Sequence, residues 1–288
     1  MKSTNPVFSR WGAARDAAPA DAHTRHPVGA TAGGRPADDY PTNPYAPAAG
    51  AGPDVGVRTT RTAITMDDVV VRTAATLGTV ALTAVLSWLL LPVDEANIGR
   101  SYGLAVGAAL IAFVLSMIQA FKRAPSPALI LGYAAFEGVF LGVVSSATST
   151  YIAPGVVVQA VLGTFAVSAG VLIAYRMRWI RVDRRFAGFV ASAATGFLLL
   201  LAADLLFSAC GAGNGLGFHS GGLGILFGVL GILLGAAFLA LDFKQVEDAV
   251  AYGAPREEAW LAAFGLTTTL VWIYLEVLQV LSILNSDN

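Results

Sequence analysis

From about residue 66 onward, the chain alternates seven long apolar runs with short polar stretches. Each run has close to the ~20 residues that an α-helix needs to cross the hydrocarbon core of a bilayer. The pattern therefore predicts an all-α integral membrane protein with a bundle of seven transmembrane helices. We place these spans, numbered 1 to 7 in chain order, at residues 73–91, 103–121, 128–146, 156–175, 186–207, 222–241 and 262–284.

The start of the membrane domain carries its own signal. Thr65 is a favourable N-cap for a helix that begins at Met66, and Asp68 lies three residues after Thr65. This spacing is typical of a capping box, here with Asp in place of Glu. We therefore divide the chain into a tail, residues 1–64, and a transmembrane domain, residues 65–288.

The tail has no apolar periodicity and is rich in Pro, Ala and Gly. It contains 8 of the 13 prolines of the chain. Such a segment cannot bury enough apolar surface to offset its conformational entropy, which predicts disorder. The tail also lacks the continuous apolar stretch of a cleavable signal peptide, so we expect span 1 to direct membrane insertion.

Composition excludes several classes of protein. Of the 288 residues, 56% are hydrophobic and 13% are charged, and the mean hydropathy is +0.66. Soluble proteins have about 25% charged residues, so a soluble enzyme and a nucleic-acid binder are both excluded. The net charge of −1 indicates no polyanionic partner. A single cysteine, Cys210, provides neither an internal disulfide nor a cysteine-built metal site.

The basic residues predict the orientation in the membrane. The loops 1–2, 3–4 and 5–6 contain a single Lys or Arg, which is Arg100. The loops 2–3, 4–5 and 6–7 hold nine basic residues: Lys122, Arg123, Arg176, Arg178, Arg181, Arg184, Arg185, Lys244 and Arg256. Because basic loops stay in the cytoplasm, we expect a cytoplasmic tail, an outward C-terminus and a location in the plasma membrane.

Four carboxylates lie within the apolar runs and are the main candidates for chemistry. They are Glu137 in span 3, Asp204 in span 5, Asp242 at the end of span 6 and Glu276 in span 7. The cores of these spans contain no basic partner, and an ionised carboxylate at the bilayer centre costs at least ~2.5–3.5 kcal/mol. Protonation, a proton shared with a second acid, or a bound cation would remove that cost. We expect water to reach Asp204, which is near the outer end of span 5.

Glycine spacing indicates how two of these acids are oriented. The glycines of span 6 lie on one face of the helix, and Gly235 is the last of them. Asp242 follows seven residues later on the same face. Glycine faces allow neighbouring helices to approach closely, which predicts that Asp242 points into the bundle. The glycines expected at such contacts are Gly224, Gly228, Gly231 and Gly235 in span 6, and Gly138 and Gly142 beside Glu137 in span 3.

Span 7 has a polar side that predicts a central position. Thr269, Glu276 and Gln279 lie on one side of this helix, and a lipid-facing helix would expose all three to hydrocarbon. We therefore assign Glu137, Asp204 and Gln279 to a polar core or pore. From its depth in the membrane, Glu276 could contact Glu137 as readily as Asp242.

Several short motifs together resemble one known family. They are Ser3-Thr4-Asn5-Pro6-Val7-Phe8-Ser9-Arg10, Phe136-Glu137-Gly138, Leu141-Gly142, Leu241-Asp242-Phe243, Ala262-Ala263-Phe264-Gly265-Leu266, Trp272-Ile273-Tyr274-Leu275-Glu276 and Leu281-Ser282-Ile283-Leu284. In this order, over seven spans, they are similar to the Bax inhibitor-1 family, the transmembrane BAX-inhibitor-motif proteins, in its actinobacterial branch. The resemblance covers the first block and residues 66–288.

The resemblance implies a bundle with span 7 at its centre and a pH-sensitive calcium leak. It implies a gate of two acids that share a proton, matched by motif to Asp242 and Glu276, while Glu137 matches the acid of the span 3 motif. Two close carboxylates hold one proton between them. Their deprotonation would separate spans 6 and 7 and leave oxygen ligands for calcium, a hard cation. The implied partners are the bilayer, calcium, protons and, in bacteria, a membrane-bound protease, with no cofactor.

The sequence differs from the family pattern in two places, and two other functions are also compatible with it. Span 7 has Glu where the family has Asp, and the loop from Asp242 to Glu276 is longer than in the best-studied members. The same acids would also serve a proton-coupled transporter, and the tail and loop 243–261 would serve a non-conducting interaction protein that modulates a protease or a stress response. An enzyme is not expected, because the chain has no P-loop, H-E-x-x-H or G-x-G-x-x-G motif.

Overall fold

The structure is a computed structural model that describes residues 63–94, 97–122, 124–210, 216–218 and 220–286. The described part contains seven α-helices and no β-strand. Seven helices are long and apolar enough to cross a membrane, which confirms the predicted fold class. The predicted disorder of the tail concerns residues that, apart from Ala63 and Ile64, lie outside the described part.

The helices follow the predicted spans and extend beyond most of them. They are α1 (Met66–Leu90), α2 (Ile98–Phe121), α3 (Pro127–Tyr151), α4 (Val156–Arg176), α5 (Arg184–Ala209), α6 (Gly221–Ala251) and α7 (Glu258–Ser286). The largest difference is in α6, which continues to Ala251 instead of ending near Asp242. Two residues after its last residue lies Gly253, whose φ of +64° is a backbone conformation that favours glycine.

The first helix begins as its sequence predicts. The Thr65 hydroxyl accepts a hydrogen bond from the Asp68 backbone N–H at 3.2 Å. In return, the Asp68 carboxylate accepts from the Thr65 backbone N–H at 3.3 Å. The capping box is therefore confirmed, and it satisfies two backbone donors at the start of α1.

Helix α7 is the central helix of the bundle. Among the described residues it contacts α1, α3, α4 and α6. Helix α2 packs on α3, whereas α5 packs on α6 and, through Phe197, on Trp272 of α7. The outward faces of α2 and α5 carry large exposed apolar side chains such as Phe113 and Leu205. Exposed apolar surface of this extent requires a lipid environment, so the chain is a multi-pass membrane protein.

Glycines form the closest helix contacts, as their spacing predicts. An ideal Cβ at Gly138 would lie 2.4 Å from the Val80 carbonyl oxygen, and one at Gly142 would lie 2.2 Å from that of Ala84. On α6, an ideal Cβ at Gly228 would lie 2.4 Å from Val280 Cγ2. The Gly138/Gly142 pair therefore seats α3 on α1, and the α6 glycine face seats α6 on α7.

One end of the bundle holds the start of α1 and the connections α2–α3, α4–α5 and α6–α7. We call it the basic end, because its described residues include Arg72, Lys122, Arg176, Arg184 and Arg256. Consecutive spans alternate in direction, which places these connections together.

The segment before α1 is tied to the α6–α7 connection at the basic end. The Ile64 backbone N–H donates to the Ala254 carbonyl at 2.8 Å, and Arg256 Nε lies 2.7 Å from Asp68 Oδ1. Arg72 Nη1 donates to the Arg256 carbonyl oxygen. The division of the chain at residues 64 and 65 stays a prediction, and Ile64 is already in contact with the α6–α7 connection.

A buried hydrogen bond joins α1 to α7 and gives a first testable prediction. Thr76 Oγ1 and Thr267 Oγ1 are 2.7 Å apart, and both residues are almost fully buried. We expect Thr76→Val to lower the free energy of unfolding by about 1 kcal/mol, because it leaves the Thr267 hydroxyl without this partner. Thermal unfolding of the purified protein in detergent measures the change. The double variant Thr76→Val, Thr267→Val is the control and should recover most of the loss, and a double variant less stable than the single one would contradict the prediction.

Candidate functional site

The Asp242 carboxylate lies in the contact between α6 and α7. Its Oδ2 atom accepts a hydrogen bond from Thr269 Oγ1 at 2.6 Å. Its Oδ1 atom would lie 3.5 Å from an ideal Cβ at Gly265, so that glycine leaves room for the carboxylate. Because α6 continues for nine residues beyond Asp242, this side chain belongs to the helix interface and not to a helix end.

The cation nearest to Asp242 in the sequence is engaged elsewhere. Lys244 Nζ forms an ion pair with Asp248 at 2.9 Å, on the part of α6 toward the basic end. Among the described residues, Asp242 takes part in no ion pair. Its described polar contact is therefore a neutral hydroxyl.

The Glu276 carboxyl group is seated against a glycine of α6. An ideal Cβ at Gly231 would lie 2.4 Å from Glu276 Cδ and 2.5 Å from its Oε2 atom. Only glycine leaves the space that this carboxyl group occupies. Glu276 is 9% exposed, and within the described part of the chain its Oε2 atom is buried without a hydrogen-bond partner. Burial of such an oxygen is costly unless the group is neutral or meets a cation or water.

The structure does not bring Asp242 and Glu276 together. Asp242 is hydrogen-bonded to Thr269. Glu276 lies seven residues after Thr269 on α7, which is about 10 Å further along the helix axis. The predicted pair cannot share one proton, and it cannot chelate one calcium ion, in this arrangement. The reason is the register of the two helices, which places Gly231, not Asp242, opposite Glu276.

Trp272 separates the two acids. It lies between Thr269 and Glu276 on the same side of α7, and its indole Nε1 donates to the Gly231 carbonyl oxygen at 3.2 Å. Thr269 and Trp272 belong to the polar side of span 7, but no sequence pattern identifies Thr269 as the partner of Asp242. The seven-residue spacing between Thr269 and Glu276 was the only available signal.

Glu137 lies on α3, outside the α6–α7 contact that holds the other two acids. It is partly buried on α3, one turn after Tyr133, whose ring packs edge-on against Phe264 of α7 at 5.1 Å. No hydrogen bond among the described residues joins Glu137 to Glu276. The alternative pairing of these two acids is therefore also not seen, and a role for Glu137 in a polar core stays a prediction.

Asp204 and Gln279 hold the α5–α6 connection at the end opposite the basic end. Asp204 Oδ1 accepts from the Leu216 backbone N–H at 2.6 Å, and Gln279 Nε2 donates to the Phe218 carbonyl at 3.1 Å. Asp204 is only 4% exposed, so the expectation that water reaches it is wrong: Leu216 lies against the carboxylate. Both contacts anchor a loop, and a further role in a pore stays a prediction.

The chemistry available is that of separate carboxyl groups in a helix interface. The described residues contain no group of three or more His, Cys, Asp or Glu side chains that could hold a metal ion. Calcium prefers six to eight oxygen ligands, which neither Asp242 with Thr269 nor Glu276 alone supplies. Single carboxylates of this kind suit a proton or a cation in passage better than a resident metal.

Comparison with known proteins identifies a family for the chain. No curated protein matches the chain significantly. A family model described as "Bax inhibitor 1 like" matches residues 5–286, nearly the whole chain. This match, over nearly the whole chain, shows that the chain belongs to the Bax inhibitor 1 like family.

Proposed function

We propose that the protein is a pH-sensitive cation leak channel of the plasma membrane, with calcium as the permeant ion and without catalytic activity. The observation that carries the proposal is the Asp242 carboxylate in the α6–α7 contact, 2.6 Å from Thr269 and in no ion pair among the described residues. Membership of the Bax inhibitor 1 like family supports it.

The proposed gate is the contact between Asp242 and Thr269. A protonated Asp242 is neutral and hydrogen-bonded, so α6 and α7 stay together. An ionised Asp242 in a medium of low polarity is costly, and the cost falls when water and a cation enter between the two helices. Charge on Asp242 therefore favours an open state, and flux should rise as the pH rises.

The other buried acid offers a second oxygen site along the same interface. Glu276 lies about two turns of α7 beyond Thr269, with Trp272 between them. A hard cation that leaves Asp242 would find carboxylate oxygen again at Glu276. The gate in this proposal is one acid and a hydroxyl, in place of two acids that share a proton.

The charge distribution supports an orientation for this gate. The basic end is expected in the cytoplasm, and Asp242 lies nine residues from the end of α6 on that side. Asp242 would then respond to cytoplasmic pH, and the α7 C-terminus would lie outside.

The test is calcium flux into liposomes that contain the purified full chain. We expect flux above that of empty liposomes, rising between about pH 6 and pH 8 as a buried carboxyl group ionises. Asp242→Asn keeps the side chain neutral at every pH, so its flux should be low and independent of pH. Asp248→Asn is the matched control, because Asp248 is on the same helix but pairs with Lys244, and it should retain the pH dependence.

Two results would overturn the proposal. Flux of wild-type protein equal to that of empty liposomes at every pH would favour the non-conducting interaction protein. An unchanged pH dependence in Asp242→Asn would exclude Asp242 as the gate.

A further inference from the structure

A lateral cleft opens between α1 and α4 near the basic end of the bundle. It has a volume of about 250 Å³, and α1 and α4 do not contact each other across it. Its walls include Thr73 of α1 and Ser168, Ala169 and Leu172 of α4, and its floor includes Leu239 of α6 and Leu266 of α7. The cleft is almost entirely apolar and belongs to neither of the two acid sites.

The position of the cleft indicates what kind of molecule fills it. All of its lining residues lie within about three turns of the basic ends of their helices. Leu172 is 51% exposed on the outer surface of the bundle, which in a membrane is covered by hydrocarbon. An apolar cleft that opens sideways at this depth is accessible to the acyl chain of a lipid.

One polar atom in the cleft is left without a partner. Thr73 Oγ1 is buried and has no hydrogen-bond partner among the described residues, unlike Ser168, whose hydroxyl donates to the Thr164 carbonyl at 2.7 Å. A buried hydroxyl without a partner destabilises the protein. An ester carbonyl of a bound lipid, just below the headgroup, would accept its hydrogen once the Thr73 side chain turns toward the cleft.

A basic side chain lies where the headgroup of that lipid would be. Arg176 is four residues after Leu172, hence on the same face of α4 and one turn closer to the basic end. It is exposed, and the described residues give it no ion pair. An arginine at the end of a transmembrane helix is a favourable partner for a lipid phosphate.

From these three observations, we propose that the cleft between α1 and α4 is a binding site for one anionic phospholipid. The acyl chain lies in the cleft, the Thr73 hydroxyl donates to an ester carbonyl, and Arg176 binds the phosphate region. The site does not depend on ion conduction, and it would exist equally in a non-conducting protein.

The experiment is native mass spectrometry of the full chain, released from detergent with added phosphatidylglycerol or phosphatidylcholine of the same acyl chains. We expect wild-type protein to retain phosphatidylglycerol preferentially. Arg176→Gln should lower phosphatidylglycerol retention about fivefold, toward that of phosphatidylcholine, as expected for one arginine near the headgroups. Ala169→Phe should lower the retention of both lipids, because its ring fills the cleft.

Matched controls separate the site from general effects. Ala166→Phe adds the same ring on the exposed side of α4, and Arg185→Gln removes a basic residue from α5, which does not contact α1 or α4. Both should bind lipid as wild type does. Equal retention of the two lipids by wild-type protein, or unchanged phosphatidylglycerol retention in both Ala169→Phe and Arg176→Gln, would overturn the proposal. Arg176 is exposed, so its variant tests the site even if Ala169→Phe does not fold.

Discussion

Gly142→Ala is expected to destabilise the bundle by about 1–3 kcal/mol, although it adds only one methyl group. An ideal Cβ at Gly142 lies 2.2 Å from the Ala84 carbonyl oxygen and 2.2 Å from Ser87 Oγ. Because the first of these atoms belongs to the backbone, α1 and α3 must move apart to admit the methyl group. The bond from Ser87 Oγ to the Val139 carbonyl, 3.0 Å long, would be strained or lost with that movement. Thermal unfolding in detergent measures the effect.

Gly107→Ala is the matched control for this prediction. Gly107 is within α2, and an ideal Cβ there meets no atom within 4 Å. Alanine is the better helix former by roughly 0.5–1 kcal/mol, so this variant should be as stable as wild type or slightly more stable. If Gly142→Ala and Gly107→Ala unfolded at the same temperature, the close contact between α1 and α3 would not exist.

The helices and their glycine contacts were predictable because their signals are local. A run of about twenty apolar residues defines a span wherever it occurs. Likewise, Gly138 and Gly142 lie on one face of a helix whatever that helix packs against. The extension of α6 to Ala251 was missed for a related reason. Residues 242–251 contain charged residues that end the apolar run, but Ala, Glu and Lys are good helix formers.

The partners of the buried acids depend on the register between helices, which no local pattern encodes. A one-turn shift of α7 along α6 would leave the glycine face of α6 and the polar side of α7 intact. It would nevertheless exchange the residue that faces Asp242. Asp204 illustrates the same limit, since its burial depends on how the Leu216 segment folds back over α5.

The position of Glu276 in the α6–α7 contact leads to a second prediction, on calcium flux. Glu276→Gln is expected to lower calcium flux by about tenfold, equivalent to about 1.4 kcal/mol in the barrier, under the proposal that a cation passes this carboxylate. The amide has nearly the same shape as the carboxyl group but carries no negative charge. Flux into proteoliposomes at pH 8, where the proposed gate is open, is the measurement.

Gly231→Ala should reduce flux to a similar extent without removing the acid. Its Cβ would lie within 3 Å of three atoms of the Glu276 carboxyl group, so the group must leave its position. Gly222→Ala is the control on the same helix, because an ideal Cβ at Gly222 meets no atom within 4 Å. Thermal unfolding of each variant shows whether the bundle is still folded when the flux is measured.

A double variant distinguishes a displaced carboxylate from a merely disturbed helix contact. Aspartate is one methylene shorter than glutamate, so Glu276→Asp draws the carboxyl group back from residue 231. Gly231→Ala combined with Glu276→Asp should therefore conduct better than Gly231→Ala alone, whereas two independent defects would reduce flux further. Recovery would mean that Gly231 acts by making room for the carboxyl group. Additive losses would mean that the glycine serves packing alone, whereas unchanged flux in Glu276→Gln would mean that the cation does not pass Glu276.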